Sequence, residues 1–238
     1  MQSALRLFCP PQCLTCETLV DSAFGLCGPC WRETPFIYGL VCNKCGAPLP
    51  GEDDDDDILC DDCMSIPRPW ARGRAAMVYR DNARKLVLAL KHGDRPELAR
   101  PAARWMARVA APILRPDMLV APVPLHWTRL LRRRYNQAAL LGRDFAVKSG
   151  LSFCPDLLVR HGRTQTLEGL GRDARFAQLS GKIALHRKRR HRIAGRRVLL
   201  VDDVMTSGAT LATAAEACLE GGAAQVDILV LARVAKDV

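Results

Sequence analysis

Two spacings of apolar residues divide the chain near residue 67. Upstream, apolar residues fall in short segments punctuated by Cys, Pro and Gly, with little room for a core of their own. Downstream, short apolar runs alternate with segments of helical period. Residues 74–79, 118–121, 157–159, 198–201 and 226–231 read as strands. The wholly apolar ones suit a parallel sheet covered on both faces. Residues 82–91 put Leu86, Val87 and Leu90 on one helix face, and His92-Gly93-Asp94 ends that helix. Residues 96–110 form a second helix with Leu98, Ala102, Trp105 and Val109 inward. Three more helices follow: 136–148, closed by Ser149-Gly150; 172–178; and 209–220, stopped by Gly221-Gly222. Strands alternating with helices predict an α/β fold with a parallel sheet. Pro67-Arg68-Pro69 marks a boundary between a small domain, 1–66, and a larger one, 67–238.

Eleven cysteines change the picture of the first segment. Eight of them form four Cys-x-x-Cys pairs: Cys13/Cys16, Cys27/Cys30, Cys42/Cys45 and Cys60/Cys63. One such turn aims two thiolates at a point, which is half of a tetrahedral zinc site, and a second turn completes it. Four turns therefore predict two closed, structural zinc sites. Sequential pairing of the turns gives two tandem ribbons. Cross-bracing, first with third and second with fourth, satisfies the same spacing. A disulfide framework would need an oxidising compartment. The N-terminal residues lack a charged head followed by a long apolar segment, and no apolar run reaches the roughly 18–20 residues that span a bilayer. These features predict a cytoplasmic protein without membrane insertion. Cys9 is a spare near the first ribbon, while Cys154 and Cys218 read as small buried apolar residues. The acid run 52–57 reads as a mobile loop inside the second ribbon.

Net charge is +10, with basic residues gathered at 129–134 and 186–192. Such runs suit phosphate-rich ligands, single-stranded DNA included. A solvated basic surface explains them equally well, since no aromatic residues interleave them as stacking platforms.

The sharpest chemistry follows the strand 198–201. Asp202 and Asp203 are expected at its carboxyl end, where open α/β sheets bind ligands. Met205-Thr206-Ser207-Gly208-Ala209-Thr210 then leads straight into a helix. Its backbone N–H groups, three hydroxyls and the helix N-terminus suit a phosphate, and Gly208 lets the backbone approach closely. The acids cannot hold a phosphate, but they accept hydrogen bonds from sugar hydroxyls or hold a hydrated divalent metal. Acids beside a phosphate cradle specify a sugar phosphate. Walker and dinucleotide fingerprints are absent. Helix capping accounts for one Thr or Ser, not for the acids and the whole loop.

Residues 198–211 resemble the phosphoribosyl pyrophosphate motif of type I phosphoribosyltransferases. The chain as a whole resembles the ComF family of competence-associated proteins. The likeness rests on the four Cys pairs, Leu90-Lys91-His92-Gly93-Asp94, Val120-Ala121-Pro122-Val123-Pro124-Leu125-His126 and Arg134-Tyr135-Asn136-Gln137-Ala138. Gly169-Leu170, with Arg175 downstream, adds to it. The resemblance implies a type I phosphoribosyltransferase-like sheet with helices on both faces, preceded by a double zinc ribbon. It also implies phosphoribosyl pyrophosphate bound with Mg2+, a place in DNA uptake or nucleotide metabolism, and competence-machinery partners. Asp202 and Asp203 would bind the ribose 2- and 3-hydroxyls and serve catalysis. Thr206, Ser207, Gly208, Ala209 and Thr210 would hold the 5-phosphate. Pro124, Leu125 and His126 fall where the pyrophosphate loop belongs, and Arg134 and Asn136 lie where a mobile hood closes. Lys91 and Arg175 are further pyrophosphate contacts. Plainer roles are open to four of these: His126 packs a turn, Arg134 is solvated, Lys91 favours its helix C-terminus, and Pro124 with Pro122 makes a rigid turn. Leu167 and Gln178 stand where the family often has Gln and Asn. Two function classes follow: phosphoribosyl transfer, or a non-catalytic adaptor that binds single-stranded DNA.

Overall fold

A computed structural model describes residues 10–21, 25–51, 58–92, 95–125, 130–131, 134–161 and 182–235. Cys9, the acid run 52–57, His126 and the 172–178 helix with Arg175 lie outside the described residues.

Five strands hydrogen-bond in parallel: β1 (Gly73–Val78), β2 (Leu119–Pro122), β3 (Ser152–Phe153), β6 (Arg197–Met205) and β7 (Gln225–Arg233). Their spatial order is β1-β7-β6-β2-β3. Side chains along the central strands alternate between two cores. Val198, Leu200, Val226, Ile228 and Val230 enter one; Leu199, Val201, Leu229 and Leu231 enter the other. Both faces are therefore buried, which explains why these strands read as unbroken apolar runs.

Two short helices, α1 (Gly28–Arg32) and α2 (Asp61–Ser65), belong to the Cys-rich segment. Helices α3 (Asp81–His92), α4 (Ala99–Ala110) and α5 (Gln137–Ser149) cover the face of Leu199 and Val201. Asn136 caps α5 by accepting from the Ala138 N–H at 3.0 Å, and Gly150 ends it at φ 68°. Helix α6 (Ala209–Glu220) covers the opposite face. An antiparallel hairpin, β4 (Leu158–Arg160) with β5 (Ile183–Leu185), and the second Cys-rich ribbon complete that layer.

Several elements differ from the sequence reading. The strand expected at 157–159 stays out of the main sheet, because its hydrogen-bond partner is the local segment β5. Neither β3 nor β5 was predicted, being too short for a period to show. Residues 96–98 form a 3-10 turn before α4. Ala99, Ala102, Ala103, Met106 and Ala110 face inward, while Trp105 and Val109 are only half-buried. Small residues let α4 lie close to the sheet, so the bulky Trp105 is displaced to the flank, edge-on to Phe36 at 5.3 Å. Strand β6 runs to Met205, four residues past Val201, so Asp202 and Asp203 sit within a strand and not after one.

The link between the two ribbons closes an edge of the sheet. Val78 N–H donates to Pro35 at 2.9 Å, and Ile37 N–H donates to Ala76 at 3.0 Å. Residues 35–37 thus occupy the hydrogen-bonding edge that β1 would otherwise expose. Beyond this crossing, the second ribbon lies flat on β1. Gly46, at φ 69°, is needed for that approach: a Cβ there would come 2.5 Å from the Ala75 nitrogen.

Candidate functional site

The eight paired cysteines gather as Cys13, Cys16, Cys27 and Cys30, and as Cys42, Cys45, Cys60 and Cys63. Pairing is therefore sequential, and cross-bracing does not occur. Within each set the sulfurs lie within 4.8 Å of one another. The Cys16–Cys27 and Cys45–Cys60 sulfurs are 3.6 Å apart. A tetrahedral zinc with Zn–S of about 2.3 Å requires sulfurs about 3.8 Å apart, so both sets fit the metal. With four sulfurs each, the two zinc sites are closed and structural. Cys154 and Cys218 lie apart from both sets and are fully buried. Burial pushes the Cys218 thiol up to about 12, as expected of an inert core residue.

The second site candidate lies at the carboxyl end of β6. Strand β2 pairs with β6 from Leu119↔Val198 as far as Pro122↔Val201 and no further. From Asp202 onward β6 has a strand neighbour on the β7 side alone among the described residues, so the acids flank an open notch. Alternation along β6 sends the two acids to opposite faces. Asp203, 8% exposed, meets Lys91 from α3, with Nζ 3.3 Å from Oδ1. Asp202 is on the side of the β4–β5 hairpin, where the Arg160 charge bears on it. Its Oδ1 accepts from the Asp203 N–H at 2.8 Å. Desolvation by burial, then the neighbouring Asp203 charge, push the Asp202 carboxyl up to about 7.

Residues 206–208 turn from β6 into α6. Gly208 is left-handed at φ 82° and stands at the N-cap of α6. A Cβ there would come 2.7 Å from Met205 Cε and 2.9 Å from Arg68 Nη1. Ala209 N–H reaches the Ser207 hydroxyl at 3.5 Å. The turn thus offers backbone N–H groups at a helix start, beside acids that can take sugar hydroxyls.

Two arginines that the sequence reading missed brace this turn from behind. Arg68 Nη1 donates to the Ser207 carbonyl at 2.8 Å, and its guanidinium lies 5.4 Å from the Trp70 ring centroid. Arg233, only 3% exposed, donates from Nη1 to the Thr206 carbonyl at 3.1 Å and from Nε to Cys45 Sγ at 3.2 Å. One buried guanidinium therefore links a ligand of the second zinc site to the 206–208 turn. Arg233 gave no cue in sequence because it ends an apolar strand 188 residues from Cys45.

The structure brings Lys91, Asp202, Asp203 and residues 206–210 together, with Val123 N–H held by the Val201 carbonyl at 2.9 Å. Pro124 is buried and Leu125 half-buried on the segment leaving β2. Asn136 is engaged at both ends: besides capping α5, its Nδ2 donates to the Val123 carbonyl at 3.1 Å. It fixes the base of this segment. Arg134 is exposed at φ 63°. Tyr135, from the same short stretch, donates to the Leu90 carbonyl at 2.9 Å, tying it to α3 one residue before Lys91.

Comparison with known proteins agrees with both halves of this description. Residues 4–64 match the double zinc ribbon domain, and residues 162–238 match the phosphoribosyl transferase domain. The chain is 31% identical over 231 residues to the DNA utilization protein YhgH of Salmonella typhimurium, covering 94% of this chain and 97% of that protein. It is 27% identical over 229 residues to Competence protein F of Haemophilus influenzae, covering 93% and 96%. Among solved structures, the allosteric regulatory enzyme of purine biosynthesis aligns with 60% of this chain and 30% of its own, at 16% identity and TM-score 0.41.

Proposed function

The chain belongs to the family that includes the DNA utilization protein YhgH and Competence protein F, and on that premise we propose that it binds phosphoribosyl pyrophosphate with Mg2+ in a DNA-handling role. The observation that carries this reading is the notch at the end of β6, where paired acids adjoin a phosphate turn and Lys91. Asp202 and Asp203 take the ribose 2- and 3-hydroxyls. The 206–210 turn takes the 5-phosphate through backbone N–H groups and hydroxyls. Lys91, Arg134, Pro124 and Leu125 take the pyrophosphate side, with His126 and Arg175, both outside the described residues, assigned there by resemblance. Bound Mg2+ neutralises pyrophosphate charge, with the acids holding its water shell. Lys91 balances the Asp203 charge, which keeps two neighbouring carboxylates tolerable before ligand arrives.

Calorimetric titration of phosphoribosyl pyrophosphate with Mg2+ tests this. Saturable heat is expected for the unmodified chain, with affinity about tenfold or more weaker in Asp203→Asn, from loss of a charge-assisted hydrogen bond. No heat in the unmodified chain would refute it. Whether binding leads to transfer is a separate test: release of pyrophosphate when candidate acceptor bases are added.

A second reading, binding of single-stranded DNA, draws on the 3-10 turn Arg187–Arg192. Arg187, Lys188, Arg190 and His191 are exposed there. Arg189 is engaged instead with Asp156, through Nη2 at 2.7 Å and Nε at 2.9 Å, and it holds that carboxyl below its ordinary range. Affinity for a single-stranded oligonucleotide should fall with salt and with Arg187→Glu plus Arg190→Glu. An unchanged affinity would remove this turn from consideration.

A further inference from the structure

The opposite end of the sheet carries a cavity that the ribose-phosphate reading does not use. It has a volume of about 500 Å³ and opens between the second zinc ribbon and the amino ends of the strands. Arg197 and Gln225 are the first residues of β6 and β7, and Arg72 immediately precedes β1. Arg197 and Asp203 are six positions apart on β6, which at about 3.3 Å per residue is about 20 Å. The two sites are therefore separate.

Four cations line this cavity: Lys44, Arg72, Arg115 and Arg197. No carboxylate is among its described lining residues. The nearby acid, Asp227, is 1% exposed and already engaged. It accepts from the Arg72 N–H at 2.9 Å and from Gln225 Nε2 at 2.9 Å. Among the described residues, four positive groups surround one shared space with a single buried counter-charge, an excess that an anion with several charges would balance. Arginine predominates, and its planar fork suits phosphate oxygens.

Size and lining narrow the class further. The space falls in the range of sites for small organic ligands and is far larger than one phosphate needs. Leu59 and Ile113 give it an apolar wall, and the Asn43 and Gln225 side chains add polar edges, with Gln225 Nε2 already turned to Asp227. A flat, partly apolar body bearing hydrogen-bonding edges fits that wall. We propose that this cavity is a binding site for a nucleoside polyphosphate, with phosphates on the four cations and the base against Leu59 and Ile113. The zinc ribbon builds half of the site. Asn43 and Lys44 are the two residues inside the Cys42-x-x-Cys45 turn, and Lys44 is fixed by donating to the Trp70 carbonyl at 2.9 Å.

Calorimetric titration of ATP into the full zinc-loaded chain tests the proposal, with inorganic triphosphate titrated in parallel. One-to-one binding of ATP is expected, unchanged in Asp203→Asn. Binding should weaken about tenfold or more in Arg115→Glu and in Arg197→Gln, each with unaltered zinc content. Arg115 is exposed, so its variant decides the matter even if Arg197→Gln fails to fold. Triphosphate alone should bind more weakly than ATP. Absence of ATP binding, its loss in Asp203→Asn, or indifference to Arg115→Glu would each overturn the site. Triphosphate binding as tightly as ATP would overturn the assignment of the apolar wall to a base.

Discussion

The two zinc ribbons share one sequence pattern and differ in what they are built into. The first lies on the helical side of the sheet. Leu14 joins the core beneath α3 and α4, Arg95 Nη1 donates to the Leu14 carbonyl at 3.0 Å, and Asn82 Nδ2 donates to the Cys30 carbonyl at 3.2 Å. Cys16 stays exposed. The second ribbon lies on the other face. Cys42 and Cys45 are wholly buried and share a core with Trp70, Ala75, Ile228 and Val230. Arg233 then connects Cys45 to the 206–208 turn. The same paired Cys-x-x-Cys turns thus yield a docked appendage in one case and part of the larger fold's interior in the other. Packing crosses the chain boundary at Pro67, so the 206–208 turn is braced through Arg233 against the Cys-rich segment.

The largest effect should separate the ribbons at once. Cys42→Ser removes a ligand from the buried set. Structural zinc supplies on the order of 10 kcal/mol in isolated zinc modules, comparable to the whole stability of a typical domain. The chain should lose one zinc and its cooperative melting transition, read by metal content and thermal unfolding. Retention of a sharp transition near the unmodified temperature would break the comparison. Next in size is Arg233→Met, which keeps the volume but leaves the Thr206 carbonyl and the Cys45 sulfur without their buried donor. A loss of about 3 kcal/mol is expected in denaturant unfolding, with both zinc ions retained.

Cys16→Ser should cost less. It opens the exposed zinc site, and about 1–2 kcal/mol is expected from loosened contacts at Leu14 and Arg95. Phosphoribosyl pyrophosphate affinity should stay within about twofold of the unmodified chain, below the 1.4 kcal/mol that a tenfold change requires. The smallest effect concerns pH. The Asp202 carboxyl titrates near 7, so ligand binding that needs its charge weakens as pH falls through about 7. Stability moves the other way. A carboxyl whose folded pKa lies above its unfolded value stabilises the fold at low pH, and that contribution is lost as pH rises toward 7. Titrations at several pH values check the first trend and melting curves the second; Asp202→Asn should flatten both.

The sheet was legible in sequence because both of its faces are buried, which makes strands such as 198–201 and 226–231 continuous apolar runs. Zinc ligation was legible because Cys-x-x-Cys spacing is local. The acids and the turn that leads into α6 were legible as neighbours for the same reason, since residues 202–210 are contiguous. What stayed hidden is non-local or depends on packing. Arg233 and Arg68 act through backbone carbonyls far away in sequence. Trp105 looked inward by period, yet the close approach of α4 through alanines excludes it. Pairing of the four Cys turns had two solutions until folding chose neighbours.

Amide hydrogen exchange across residues 205–210 tests most directly whether the second ribbon supports the phosphate turn, and it needs no ligand. Side by side, Arg233→Met and Cys16→Ser are compared with the unmodified chain at full occupancy of the second zinc site. Faster exchange of these amides in Arg233→Met alone, with Cys16→Ser matching the unmodified chain, is the predicted result. Equal exchange in all three, or equal acceleration in both variants, would contradict a specific link from the buried zinc site to the phosphate turn.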